Sequence, residues 1–77
     1  MIRTPLPAEF VLNALDEVDR RPWPEVFEIV EAEKGRLYAV SRKSVRRHLR
    51  DLVADGRVIC HERAGARHEH LYARARP

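Results

Sequence analysis

The tetrapeptide Arg21-Pro22-Trp23-Pro24 constrains this chain more than any other feature. Proline lacks an amide donor, fixes its own backbone and biases the preceding residue away from the helical region. No helix runs through two prolines separated by one residue. Before the break, Phe10, Val11, Ala14, Leu15 and Val18 recur at helical spacing, with Glu9, Asn13, Asp16 and Glu17 on other faces. They predict a first helix over 8–20, with Pro7 at its opening, where no donor is needed. Residues 1–6 read as an extended lead-in. After the break, Pro24 opens a second helix over 24–34. Val26, Phe27, Ile29 and Val30 supply its apolar side, while Glu25, Glu28 and Glu31 point outward. Gly35 is the expected stop, as a left-handed cap. Trp23 is expected to anchor the core or a hinge rather than to offer a stacking surface.

Leu37 to Val40 reads as a short connector with at most one strand bridge. Ser41 follows as a helix cap, and a third helix is predicted over 42–55, ending at Asp55-Gly56. Arg57 to Arg63 and Glu69 to Ala75 read as two strands of a hairpin over 57–75, with Gly65 in the turn. The expected fold class is α+β, mainly α: a three-helix core followed by a two-stranded hairpin, in one domain spanning 1–77.

The third helix carries the chemistry. On a wheel with Val45 at zero, Leu49, Leu52 and Val53 fall at about 40°, 340° and 80° and make one apolar stripe. Lys43, Arg46, Arg47 and Arg50 fall at about 160°, 100°, 200° and 140°, opposite or beside that stripe. Crowding like charge on a helix is mildly destabilising, and Arg42 and Lys43 stand at the wrong end for the helix dipole. Contact with a polyanion explains what local stability does not. An α-helix fits the major groove of B-form DNA, and arginine forks onto guanine or phosphate. Ser41 and Ser44 sit where hydroxyls and free amides can meet a phosphate, a role compatible with capping. Arg63, Arg67 and His68 lie at or near the hairpin turn, where a basic tip can reach a minor groove or the backbone.

Charge is distributed accordingly. The chain has 15 basic and 12 acidic side chains, a net of +3. Through Lys34, four basic residues face eight acidic ones, leaving −4; from Gly35 onward, eleven face four, leaving +7. Such asymmetry points to an anionic partner on the basic side. Ordinary solvated surface explains an eleven-charge difference less well.

Other classes drop away. A 77-residue chain buries too little for a two-domain enzyme or a deep pocket. At 44% hydrophobic and 35% charged it is too apolar for a disordered tail. No apolar run approaches a membrane span, and the first ten residues hold no secretion signal core, so a cytoplasmic, nucleoid-associated protein is expected. The single cysteine, Cys60, permits no internal disulfide. Cys60, His61, His68 and His70 gather in the hairpin, but adjacent strand residues point to opposite faces, so no metal is expected. Cys60 is expected to be a small core-side residue, and His48 a boundary residue touching helix 2. There is no phosphate loop, nucleophile elbow or catalytic carboxylate pair, so no enzyme and no cofactor are expected.

The segment AVSRKSVRRHLRDLVADGRV, residues 39–58, resembles the recognition-helix region of winged helix-turn-helix regulators. The shared pattern is a Ser cap, then Val45, His48-Leu49, Leu52 and Gly56, then a strand opening at Val58. The resemblance implies a three-helix core and a two-stranded wing, with helix 3 in the major groove, as in small bacterial or phage transcriptional regulators. It implies groove contact by Arg42, Lys43, Ser44, Arg46, Arg47 and Arg50, and wing contact by Arg63 and Arg67. Three departures stand out. Gly35 to Val40 is longer than a tight turn, no clear strand separates helices 1 and 2, and no further long helix offers a dimer interface or effector pocket. No small-molecule effector is therefore expected, while a homodimer or protein partner stays open. The alternative function is a protein-interaction module that uses the acidic face of helices 1 and 2.

Overall fold

The computed structural model describes residues 3–62 and 70–76. The chain runs β1 (Thr4–Pro5), α1 (Ala8–Asn13), β2 (Arg21–Pro22), α2 (Trp23–Lys34), β3 (Tyr38–Ala39), α3 (Arg42–Ala54), β4 (Val58–Glu62) and β5 (His70–Arg74). The fold is α+β, with three helices and a small antiparallel sheet among the described residues.

The extended lead-in does more than connect. β1 pairs in parallel with β3, Thr4 against Tyr38 and Pro5 against Ala39. Leu6 then drops into the core at 5% exposure. With it pack Val11, Leu12, Ala14 and Leu15 around α1, Val26 and Val30 of α2, Val45, Leu49 and Leu52 of α3, and Val58 of β4. α3 buries Val45, Leu49 and Leu52 of its predicted stripe and α2 buries Val26 and Val30, with Val53, Phe27 and Ile29 half-buried. Of the set predicted for helix 1, Val11, Ala14 and Leu15 are buried, Phe10 is half-buried and Val18 is exposed. Phe10 meets Tyr38 edge to face at 5.0 Å, and the Lys34 ammonium lies 4.4 Å above the Phe10 ring.

The first helix is shorter than its sequence pattern. It ends at Asn13 instead of residue 20. A continuing helix would offer the Asp16 carbonyl to the amide of Arg20. That carbonyl instead accepts from the Arg74 amide of β5 at 2.8 Å. The Asp16 carboxylate turns to accept from the Val18 amide at 3.2 Å, and Val18 is left 69% exposed. The hydrogen bond donated by the Val18 amide is the main reason the Asp16 pKa is lowered, against a smaller opposing effect of burial.

A strand does separate α1 from α2, contrary to expectation. β2 pairs antiparallel with β5, Arg21 against Tyr72 and Pro22 against Leu71. The hairpin strands therefore belong to a three-stranded sheet in the order β2-β5-β4. An outer strand tolerates proline because its free edge needs no donor. Arg21 also donates to the Ala14 carbonyl at 2.7 Å and pairs with Glu25 at 3.6 Å, tying the end of α1 to the first turn of α2. On the other side of β5, β4 runs from Val58 opposite Arg74 to Glu62 opposite His70.

The two helix-ending glycines act differently. Gly35 keeps a right-handed conformation (φ −63°), so it is not the left-handed cap expected; a Cβ there would stand 2.5 Å from the Glu31 carbonyl oxygen. Gly56 takes the left-handed conformation (φ +77°). Its amide donates to Val53 and that of Arg57 to Leu52, both at 3.0 Å, closing α3 with the paired hydrogen bonds of a Schellman motif.

Candidate nucleic-acid interface

α3 begins at a reciprocal cap. The Ser44 amide donates to Ser41 Oγ and the Ser41 amide to Ser44 Oγ, each at 3.1 Å. The Ser44 hydroxyl donates to the Ser41 carbonyl at 2.9 Å, and the Ser41 hydroxyl to Ser44 Oγ at 3.1 Å. Both hydroxyl protons are thus committed to the cap. The groups left to meet an anion at this end are the backbone amides of Arg42 and Lys43, which have no helical partner.

Beyond the cap the buried stripe of Val45, Leu49 and Leu52 turns the other faces of α3 outward. Arg42, Lys43, Arg46, Arg47 and Arg50 are all exposed. Together they line one side of an open groove of about 690 Å³, whose far wall is formed by Cys60 of β4 and by His70 and Tyr72 of β5. Among the described residues none of the five cations is paired with a carboxylate, and the one ion pair is Arg21–Glu25. Their charge is therefore available to a ligand. Two of them rest on aromatic rings of α2: the Arg46 guanidinium lies 5.2 Å from the Trp23 ring centre and that of Arg42 lies 5.8 Å from Phe27.

The five expected contact cations of α3 thus line one groove, while Ser41 and Ser44 form the cap at the start of the helix. Arg63, Arg67 and His68 lie outside the described residues. Cys60 is exposed, not core-side as expected. It shares a strand face with Val58, which is 2% exposed, but stands two residues farther along, past the edge of the core. There it faces Tyr72 across the ladder. Burial raises the Tyr72 pKa, as do the charge of Cys60 and its hydrogen bond; Arg46 opposes them. His48 is half-buried, as a boundary residue is expected to be, and its Nε2 lies 2.7 Å from the Leu6 carbonyl oxygen, which ties it to the lead-in.

Sequence reasoning missed Trp23, Phe27, Cys60, His70 and Tyr72 as parts of this surface. The four-residue spacing of Trp23 and Phe27 gave a partial signal, that the two share a helix face, but not that Arg42 and Arg46 would meet it. The strand residues gave none, because their place depends on register. Among the described residues no group of three His, Cys, Asp or Glu side chains is placed to hold a metal ion, and no helix is long and apolar enough to cross a membrane. No family model, curated protein or solved structure matches this chain.

Proposed function

We propose that this chain is a winged helix-turn-helix domain that binds double-stranded DNA, with α3 in the major groove and the β4–β5 sheet beside it, and that it regulates transcription at the nucleoid. The observation that carries this reading is the set of five exposed cations on α3, none paired with a carboxylate among the described residues. Such a surface recruits phosphate by releasing counterions, and arginine adds bidentate pairing to guanine edges. The β2-β5-β4 sheet supports the same reading, since a short strand between α1 and α2 was the element the sequence pattern lacked.

Selection from random duplexes at low salt tests it, followed by titration across salt concentrations. Binding weakens steeply with salt, and replacement of Arg46, Arg47 and Arg50 by Ala abolishes it while circular dichroism stays unchanged. A triple variant that binds as well as the parent sinks the assignment. A palindromic selected site identifies a dimer as the working unit.

A second reading draws on the other half of the chain. Glu28, Glu31 and Glu33 are exposed on α2 without an ion pair among the described residues, and Leu37, just after that helix, is 72% exposed. This surface suits a basic protein partner. Failure of every duplex pool to bind at low salt, with capture of a basic peptide blocked by Leu37→Asp, favours that interaction module.

A further inference from the structure

The cations of α3 are not equivalent. Arg42 and Arg46 lie at about 60° and 100° from Val45, beside the buried stripe and toward α2. Each guanidinium lies over a ring of that helix, Arg42 over Phe27 and Arg46 over Trp23. Two ladders of four-residue spacing thus face each other across the helix pair. Arg46 also lines the groove together with Tyr72 of β5, so it lies where α2, α3 and β5 meet. Lys43, Arg47 and Arg50, centred near the outermost line of the helix, rest on no ring among the described residues.

We infer that α3 divides its cations between two tasks: Arg42 and Arg46 grip DNA phosphates, with Phe27 and Trp23 as their positioning residues, while Lys43, Arg47 and Arg50 address base edges. The division rests on the DNA-binding reading above. A helix lying in the major groove turns its outermost face to the base edges and its flanks to the phosphate walls. Stacking suits the flank residues. A ring against the guanidinium face restrains the side chain yet leaves its in-plane N–H groups free for an anion. The outer cations, unrestrained, can adjust to the pattern of acceptors beneath them.

A thermodynamic cycle on the full chain tests this, using the duplex that emerges from selection and its single-base variants, read by fluorescence anisotropy across salt concentrations. Trp23→Leu weakens binding about threefold to fivefold. Its salt dependence is unchanged, since no charge is lost, and Trp23→Phe restores most of the affinity. Arg46→Ala weakens binding to all the duplexes about equally and lowers the salt slope by about one. Adding Trp23→Leu to Arg46→Ala costs nothing more, a cancellation that a merely structural role for Trp23 would not produce. Arg47→Ala or Arg50→Ala flattens discrimination at particular base pairs.

Additive losses for Trp23→Leu and Arg46→Ala overturn the inference, and so does flattened discrimination in Arg46→Ala. If Trp23→Leu does not fold, Phe27→Leu with Arg42→Ala makes the equivalent cycle. A parent chain that binds no duplex at low salt refutes the DNA-binding reading and this division together. A parent that binds while the cycle proves additive refutes the division alone.

Discussion

His48 Nε2 lies 2.7 Å from the carbonyl oxygen of Leu6, joining the middle of α3 to the chain entering α1 across 42 residues. A carbonyl only accepts, so the ring nitrogen donates. Leu6 itself is in the core, so this carbonyl has little recourse to water. Losing a donor to a poorly hydrated acceptor costs more than the net value of the bond. His48→Ala is expected to destabilise the fold by about 1–2 kcal/mol. Urea unfolding shows it as a lower midpoint at unchanged slope. A variant that unfolds at the parent's midpoint would mean that the contact contributes nothing.

The cap of α3 gives a second expectation. Ser41 Oγ accepts from the Ser44 amide, one of the four at the helix start that the helix cannot pair internally. Ser41→Ala is expected to cost about 1 kcal/mol, and Ser41→Asp to recover most of it, because a carboxylate also caps and favours the positive end of the helix. The same Asp should weaken DNA binding, since its charge stands next to Arg42 and Lys43. Thermal melts and a duplex titration of the two variants separate these effects. Equal affinity in Ser41→Asp and the parent would show that the start of α3 lies away from DNA.

The glycines can be told apart by their substitutions. At Gly56 nothing lies within 4 Å of an added Cβ, so the whole cost of Gly56→Ala comes from φ +77°. That cost is expected to be about 1 kcal/mol, with Gly56→Asn milder because asparagine tolerates the left-handed region. At Gly35 the obstacle is the Glu31 carbonyl, so Asn is expected to be no milder than Ala. Chemical denaturation of the four variants checks the contrast: a larger loss for Gly56→Asn than for Gly56→Ala contradicts the conformational account.

These cases also show what could be read in the sequence. The third helix and its serine cap rest on local rules, the spacing of Val45, Leu49 and Leu52 and a hydroxyl before the first turn. No long-range contact was needed to place them. The end of α1 is different. It is decided by the Arg74 amide taking the Asp16 carbonyl, 58 positions away in the chain, and Val18 still fits the helical spacing it does not adopt. β2 was illegible for a similar reason: two residues, one of them proline, look like a break until β5 comes alongside. For the site, the α3 cations were legible as an arc. Their aromatic supports and the Cys60–Tyr72 wall were not, because helix crossing and strand register decide which residues meet.

Tyr72 offers a prediction in pH. Burial holds its pKa above the ordinary value of 10.0, and Cys60 adds to the effect. The folded state therefore keeps the phenolic proton more tightly than the unfolded chain. By linkage, the stability this supplies is intact below the unfolded tyrosine pKa of about 10 and is lost as pH rises through the higher folded value. Stability is expected to fall on the alkaline side of that point, and Tyr72→Phe, with no proton to lose, to fall less steeply. Urea unfolding at a series of pH values from neutral to alkaline measures both slopes. The variant also removes the hydroxyl facing Cys60, so its stability at neutral pH is the necessary baseline. Parallel alkaline slopes in parent and variant would place the phenol in free contact with water and remove Tyr72 from the wall of the groove.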